Sequence, residues 1–544
     1  MSGAAAVDRL SARMGYVSKT AAKITVVSLQ DTGTLQVTCS GGTPTITTSL
    51  TGLGTDHTAY GGAPVLYYAK IDITGLSQDT DYTWTVTKNG LSVSGSFRTM
   101  PADGSDFSFV MSTCEALCAR SPANSLGTFR SYIETQTSPR VSFYAHIDDT
   151  MYPDLDRAFG RPAYRSGDFA TQLRLTKPEG TSNGDPEDTG LSADYCINWA
   201  RYFGLFDDDH YSSAADRLWV QRNVPFVAQW GDHEVASNWN RGVGGSGNWY
   251  GGPSGYSALP GFKASPAGFF DDVSTANWEA LFGQARPSKL GASGQHWGFT
   301  QGPVCFVAVD MNTFADGRHG LTLAAGLNQG TGKQVDGSVS LAGGGVSADL
   351  PYLGTQQITD ILNFFAASNK PFNILFTENG ISSHNEPWGQ FWPTDFLDLM
   401  QRASIGVLNN PRLNGTTGKL IILKGDTHAL HVTSYHSNGT AAGLGGASYN
   451  NLELWEVCPG TINGSNTAGV TFPYMRYAGK SRRSKSGAAS NSRKIHGFVH
   501  VIVRASRSPQ EMEIRLIDTS NGDHEVLWSG KFDANTPGNA PYRV

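Results

Sequence analysis

Six short apolar runs, each ending on a polar or ionisable residue, constrain this chain more than any other feature. They are "FSFVMSTC", "RVSFYAHIDD", "VPFVAQWGD", "VCFVAVDMN", "FNILFTENG" and "KLIILKGDTH". Their length and their β-branched and aromatic content read as buried strands. Stretches with helical periodicity lie between them, such as "SLGTFRSYIETQ", "DYCINWARYFGLF" and "TQQITDILNFFAAS". Buried strands alternating with helices define an α/β domain, in which ligands sit beyond the carboxyl ends of the strands. The polar tips are therefore expected to be neighbours in space.

This pattern starts at residue 106. Before it, "KITVVSL", "TLQVTCS", "VLYYAKIDI" and "DYTWTVT" read as short strands, and Asn89-Gly90 supplies a two-residue hairpin turn before "LSVSGSFRT". Strands at this spacing point to a small β-sandwich, and "GLSQDTDYTWTV" with "SGSFRTMP" resembles a fibronectin type III or immunoglobulin-like module. A chain of 544 residues is too long for one ordinary core. The expected organisation is an N-terminal extension over residues 1–20, a sandwich over 21–101 and a large domain over 102–544, joined by "TMPADGSD". Long glycine-rich insertions such as "NRGVGGSGNWYGGPSGY" interrupt the large domain and read as lids or exposed excursions.

A net charge of −6 gives no global reason to bind nucleic acid or an anionic membrane. No apolar run is long enough to span a bilayer. The six cysteines are scattered, and the gap between Cys114 and Cys118 is not that of a redox motif. The opening "MSGAAAVDRLSARMGYVSKT" has two arginines with no apolar stretch behind them and does not read as an export signal.

The strand tips carry the chemistry. Cys114 ends the first run of the large domain; a buried cysteine is most often a small hydrophobe, and a ligand role needs company. Asp148 and Asp149 end the second run, with Tyr152 three residues on. The third delivers Gly231, Asp232, His233 and Glu234 in succession. Desolvating Asp232 and His233 together is costly unless they bind something, and a cation is the simplest partner. In "LIILKGDTHALH", Asp426 and His428 sit two apart, so on an extended chain their side chains face the same way. Carboxylates, imidazoles, a thiolate and a phenolate in one crevice describe a site for more than one metal. Carboxylates suit hard ions such as calcium or manganese, and thiolate with phenolate favours oxidised iron. Paired cations are the usual solution for hydrolysing phosphate esters.

In this order the motifs resemble those of PhoD-type alkaline phosphatases, within the calcineurin-like metallophosphoesterase superfamily and distantly similar to purple acid phosphatases. "FVMSTCE" resembles the family's strand ending in Ser-Cys, "HIDDTMYPD" its Gly-Asp-x-x-Tyr-x-Asp, and "WGDHEVASNW" its Trp-Asp-Asp-His-Glu segment. "VAVDMN", "LKGDTHA", "LELWEVCPGTI" and "HGFVHVIVR" follow the remaining strands. The resemblance covers most of residues 106–530 and implies an α/β fold: a metallophosphoesterase-type layered β-sandwich flanked by helices, after a small N-terminal all-β sandwich domain. It implies an iron(III) and calcium cluster held by Cys114, Asp149, Tyr152, Asp232, Asp426 and His428. His233 would contact the phosphoryl group and assist the leaving oxygen, and Glu234 would orient His233.

Three positions depart from the family pattern. Asp148 stands where glycine is usual, so either the turn is tighter or the cluster carries an extra charge. Asn312 replaces an arginine after Asp310, and "LFTENGISSHNEPW" offers Asn379 or the more distant His384 where the superfamily has a metal-binding histidine.

The implied activity is hydrolysis of phosphate monoesters, diesters or both, with nucleic acid a partner only as a diester substrate. The basic loop "RYAGKSRRSKSGAASNSRK" reads as a solvated loop or a guide for polyanions. Family resemblance implies an extracellular or periplasmic location; without an export signal, a virion-associated or cytoplasmic one is the alternative. The rival function is a structural or adhesive component of a larger particle, such as a virion, carrying a phosphatase-like domain.

Overall fold

The computed structural model describes residues 9–53, 66–115, 125–150, 199–205, 214–231, 276–311, 353–378, 419–425, 430–436, 453–462 and 496–535, apart from positions 201, 293, 354, 520, 521 and 523. The first seven strands are β1 (Leu10–Val17), β2 (Ala22–Ser28), β3 (Gln36–Cys39), β4 (Thr43–Gly52), β5 (Tyr67–Thr74), β6 (Asp81–Lys88) and β7 (Leu91–Arg98). They form two antiparallel sheets, ordered β1-β2-β5-β4 and β3-β6-β7. Ile24, Val26, Ile71 and Ile73 of the first sheet and Trp84, Val86 and Phe97 of the second share one core. Asn89 and Gly90, at φ 50° and 81°, make the tight turn between β6 and β7.

Strand β1 lies inside the segment read from sequence as an extension. Apolar alternation is weak in "LSARMGYV" because both faces are buried, against different partners. Ala12 and Met14 enter the sandwich core. Arg13, on the other face, is fully buried: its guanidinium lies 3.9 Å from the ring centre of Phe282 and 4.5 Å from that of Phe226, and its Nη2 donates to the Leu281 carbonyl at 2.9 Å. Burial lowers its pKa to about 10, still charged at neutral pH, which suits a cation packed on aromatic faces. Gly15 follows, where a Cβ would fall 2.2 Å from the Gln284 carbonyl oxygen.

The large domain contains β8 (Phe107–Ser112), α1 (Ser125–Thr135), β9 (Val141–Ile147), α2 (Ala214–Asn223), β10 (Phe226–Gln229), β11 (Trp297–Gln301), β12 (Val304–Ala308), α3 (Thr355–Ser368), β13 (Phe372–Thr377), β14 (Lys419–Lys424), β15 (Leu430–His436), β16 (Glu453–Pro459), β17 (Gly497–Arg504), β18 (Glu511–Asp518) and β19 (Glu525–Asp533). Two six-stranded mixed sheets result, β10-β9-β8-β17-β18-β19 and β11-β12-β13-β14-β16-β15. Strands β8, β9 and β10 run parallel in one, and β12, β13, β14 and β16 in the other. An aromatic layer joins the sheets: Phe109 of the first stacks on Phe143 at 4.7 Å and meets Phe306 of the second edge-on at 5.3 Å, and Phe306 stacks on Phe299 at 4.6 Å. The Trp297 indole also donates across to the Ala228 carbonyl at 2.8 Å. No helix among the described residues is long and apolar enough to cross a membrane.

Because Phe226 begins β10, the Arg13 cage ties the N-terminal domain to a strand whose end reaches Gly231. Arg13→Ala is expected to lower stability by about 2–4 kcal/mol, through lost cation–π contact and a cavity. Arg13→Met, which refills the volume, should recover most of the loss. Urea unfolding midpoints of the two variants check both halves.

Candidate metal centre

The residues just beyond the ends of four parallel strands converge. Cys114 follows β8, Asp148 and Asp149 follow β9, Gly231 follows β10 and Gly425 follows β14. Cys114, Asp148 and Asp149 have positive φ values of 54°, 74° and 21°. Non-glycine residues adopt that region at a cost of about 1–3 kcal/mol each, and such strain collects at functional sites. Here it aims three side chains at one point. The Cys114 Sγ lies 3.3 Å from Asp148 Oδ2 and 3.8 Å from Asp149 Oδ2, and the three potential donor atoms lie within 4.8 Å of one another. All three residues are fully buried.

The two glycines close around this group. A Cβ on Gly231 would fall 2.1 Å from Asp148 Oδ1 and 2.5 Å from Asp149 Oδ1. One on Gly425 would fall 2.5 Å from Asp148 Cβ and 2.6 Å from its Oδ2. The backbones of β10 and β14, from different sheets, thus both abut the Asp148 carboxyl. Gly425 is further held by its N–H, which reaches the Thr377 and Glu378 carbonyls at 2.9 and 3.1 Å.

A buried polar chain fixes the Asp148–Asp149 turn. Burial pushes the His146 pKa below its usual value, only partly offset by the Glu115 carboxylate, so the imidazole is neutral. With His146 Nε2–H donating to the Asp149 carbonyl at 3.2 Å, Nδ1 is the acceptor of a hydrogen bond from the Tyr144 hydroxyl at 2.6 Å. Burial also holds the Tyr144 phenol protonated, and Ser112 Oγ stands 2.5 Å from it. The Glu115 amide donates to the same Asp149 carbonyl at 2.9 Å. The Glu115 side chain forms a buried ion pair with Arg217 of α2, which keeps a fourth acidic group beside the cluster compensated; removing one partner of such a pair costs about 3–5 kcal/mol.

Across the sheets, Asp310 at the end of β12 accepts the Trp230 indole N–H at 3.1 Å and the Gln295 amide N–H at 2.5 Å. It holds the residue before Gly231 in place. The bond between Thr113 Oγ1 and the Gly460 carbonyl, 2.7 Å, fastens the end of β8 to that of β16.

Of the ligands expected from sequence, Cys114 and Asp149 lie in this cluster. Tyr152, Asp232, Asp426 and His428, with His233, Glu234, Asn312, Asn379, His384, the long insertions and the basic loop after residue 475, fall outside the described residues. Asp148 brings a second carboxylate rather than a simple turn residue. Its φ of 74° is one that glycine adopts freely. Sequence reading passed over His146, Arg217 and the packing roles of Gly231 and Gly425. For the glycines a signal existed, since each precedes an aspartate at a strand tip; for Arg217, on a helix far along the chain, none did.

No protein-family model and no curated protein matches the chain. Among solved structures it is similar to PhoD, with a TM-score of 0.55 and 12% identity, covering 96% of this chain and 90% of that one. It is also similar to a purple acid phosphatase isolated from yellow lupin (Lupinus luteus) seeds, with a TM-score of 0.51 and 12% identity, covering 97% of this chain and 74% of that one. The fold is therefore one shared with PhoD and this purple acid phosphatase: an α/β layered arrangement of two mixed sheets, preceded by a β domain.

Gly425→Ala should drive a methyl into Asp148 and cost about 1–3 kcal/mol by overpacking. Metal content after purification without chelators should fall with it. Gly104→Ala, where a Cβ meets nothing within 4 Å, should change neither quantity. Thermal melts beside elemental analysis of both variants provide the check.

Proposed function

We propose that this chain is a metal-dependent phosphoric ester hydrolase. The observation that carries the reading is the buried trio of Cys114, Asp148 and Asp149 at the carboxyl ends of β8 and β9, on a fold shared with PhoD and a purple acid phosphatase. A thiol and two carboxyls fully out of water cannot all ionise without a cation among them, so the donor set suits a metal. Cys114 and Asp149 supply ligands, joined in this reading by Tyr152, Asp232, Asp426 and His428. Thiolate with carboxylate favours iron(III) at one position, and an oxygen-rich remainder favours calcium at another. Bound there, the ions would acidify the attacking water and neutralise the phosphoryl oxygens.

The protein's own groups do the rest. The Ser112–Tyr144–His146 chain holds the Asp149 carbonyl and so fixes the turn from which its carboxylate projects. His233 contacts the phosphoryl group and delivers a proton to the departing oxygen, with Glu234 setting its tautomer. Substrates are phosphate monoesters, diesters or both.

Iron- and calcium-loaded protein is expected to hydrolyse p-nitrophenyl phosphate, bis-p-nitrophenyl phosphate or both, and to stop when chelated; a fully loaded chain inert toward both esters overturns the reading. His233→Ala should keep its metals and lose roughly two to four orders of magnitude in turnover, the usual scale for general acid–base catalysis. The loss should shrink for esters with good leaving groups. Asp232→Ala should instead lose metal. Turnover on aryl and alkyl phosphates beside elemental analysis separates the two roles.

A further inference from the structure

We infer that Asp148 is itself a metal ligand, a second carboxylate on the ion bound by Cys114 and Asp149, and that it biases this position toward a trivalent cation. The inference rests on the metal-centre reading above and adds Asp148 to the ligands that reading names.

The separations match donors on one ion. Metal–thiolate and metal–carboxylate bonds of about 2.3 and 2.1 Å place the two donor atoms about 3.1 Å apart at a right angle and about 3.8 Å apart at 120°. Asp148 Oδ2 lies 3.3 Å from Cys114 Sγ, and Asp149 Oδ2 lies 3.8 Å from it. Both carboxylates therefore stand where a neighbouring coordination position of a thiolate-bound ion would be.

The surrounding protein is shaped to this carboxyl group. Gly231 and Gly425 approach it from different sheets, closely enough that a methyl on either would overlap its atoms. Full burial makes a second carboxylate beside Asp149 expensive unless it shares the same counter-charge. A turn residue with no role in binding would be served better by glycine at a φ of 74°. The side chain is thus retained against both a conformational and a desolvation cost. A third anionic donor strengthens the hold on a hard, highly charged ion more than on a divalent one, because electrostatic attraction scales with the charge of the cation.

The test compares wild type with Asp148→Gly and Asp148→Asn. Each is loaded with iron or with calcium alone, titrated against a chelator of known affinity, and read by elemental analysis, absorption spectrum and melting temperature. Asp148→Gly, freed of its positive-φ strain, is expected to fold without metal at least as stably as wild type. Both variants should bind iron(III) at least about tenfold more weakly, the scale on which even outer-shell partners of metal ligands act, with a smaller change for calcium. The thiolate-to-iron absorption band should also shift, since its energy depends on the other donors. Unchanged iron affinity and an unshifted band in both variants overturn the inference alone. An equal loss of iron and calcium overturns the trivalent bias. Wild-type protein that takes up no iron overturns the metal-centre reading itself, and this inference with it. Asp148→Asn, which keeps the side-chain shape, covers the case in which Asp148→Gly fails to fold.

Discussion

The site depends on two sheets being held face to face so that the carboxyl ends of their parallel strands emerge at one edge. The aromatic layer of Phe109, Phe143, Phe299 and Phe306 does this, with Trp297 reaching across to the backbone of β10. Edge-to-face and stacked rings fill the space densely and leave little freedom for one sheet to slide on the other. A slide of even an ångström would part Gly425 from Asp148, because their contact spans the two sheets.

On that base stands an electrostatic problem with one economical solution. Four acidic groups, Cys114, Glu115, Asp148 and Asp149, are buried within a few residues of each other along the two strand ends. Arg217 neutralises Glu115. For the other three the turns point the side chains at a common centre, and backbone strain at all three positions shows that the geometry is enforced by the surrounding fold. The Tyr144–His146 chain holds the Asp149 backbone from beneath, and Asp310 holds the Trp230 indole from across the sheets.

The N-terminal β domain is part of this support. Arg13 sits in the same aromatic cluster as Phe226, and Ser96 bonds through both its N–H and its hydroxyl to Asn223 at the end of α2, the helix that also carries Arg217. Packing of this kind couples the two domains mechanically. It also explains why β1 escaped detection in the sequence: a strand buried on both faces, with an arginine on one of them, shows no alternation of polar and apolar residues.

What the sequence determined by itself was the six buried runs that form β8, β9, β10, β12, β13 and β14, their order along the chain and which tips carry ionisable groups, because apolar runs of strand length and the residues that end them are local properties of the chain. The Cys114 and Asp149 positions were legible in that way, and so was the turn at Asn89-Gly90. Only the tertiary structure decided which tips touch. The approach of Gly231 and Gly425 to Asp148, the pairing of Arg217 with Glu115 and the bond from Trp230 to Asp310 join residues tens to hundreds of positions apart. Their contacts follow from sheet order and from the packing of one sheet on the other, which no local pattern encodes. Asp148 shows the division within one residue: the sequence marks it as a departure from a glycine, and the fold directs its carboxyl toward the Cys114 sulfur.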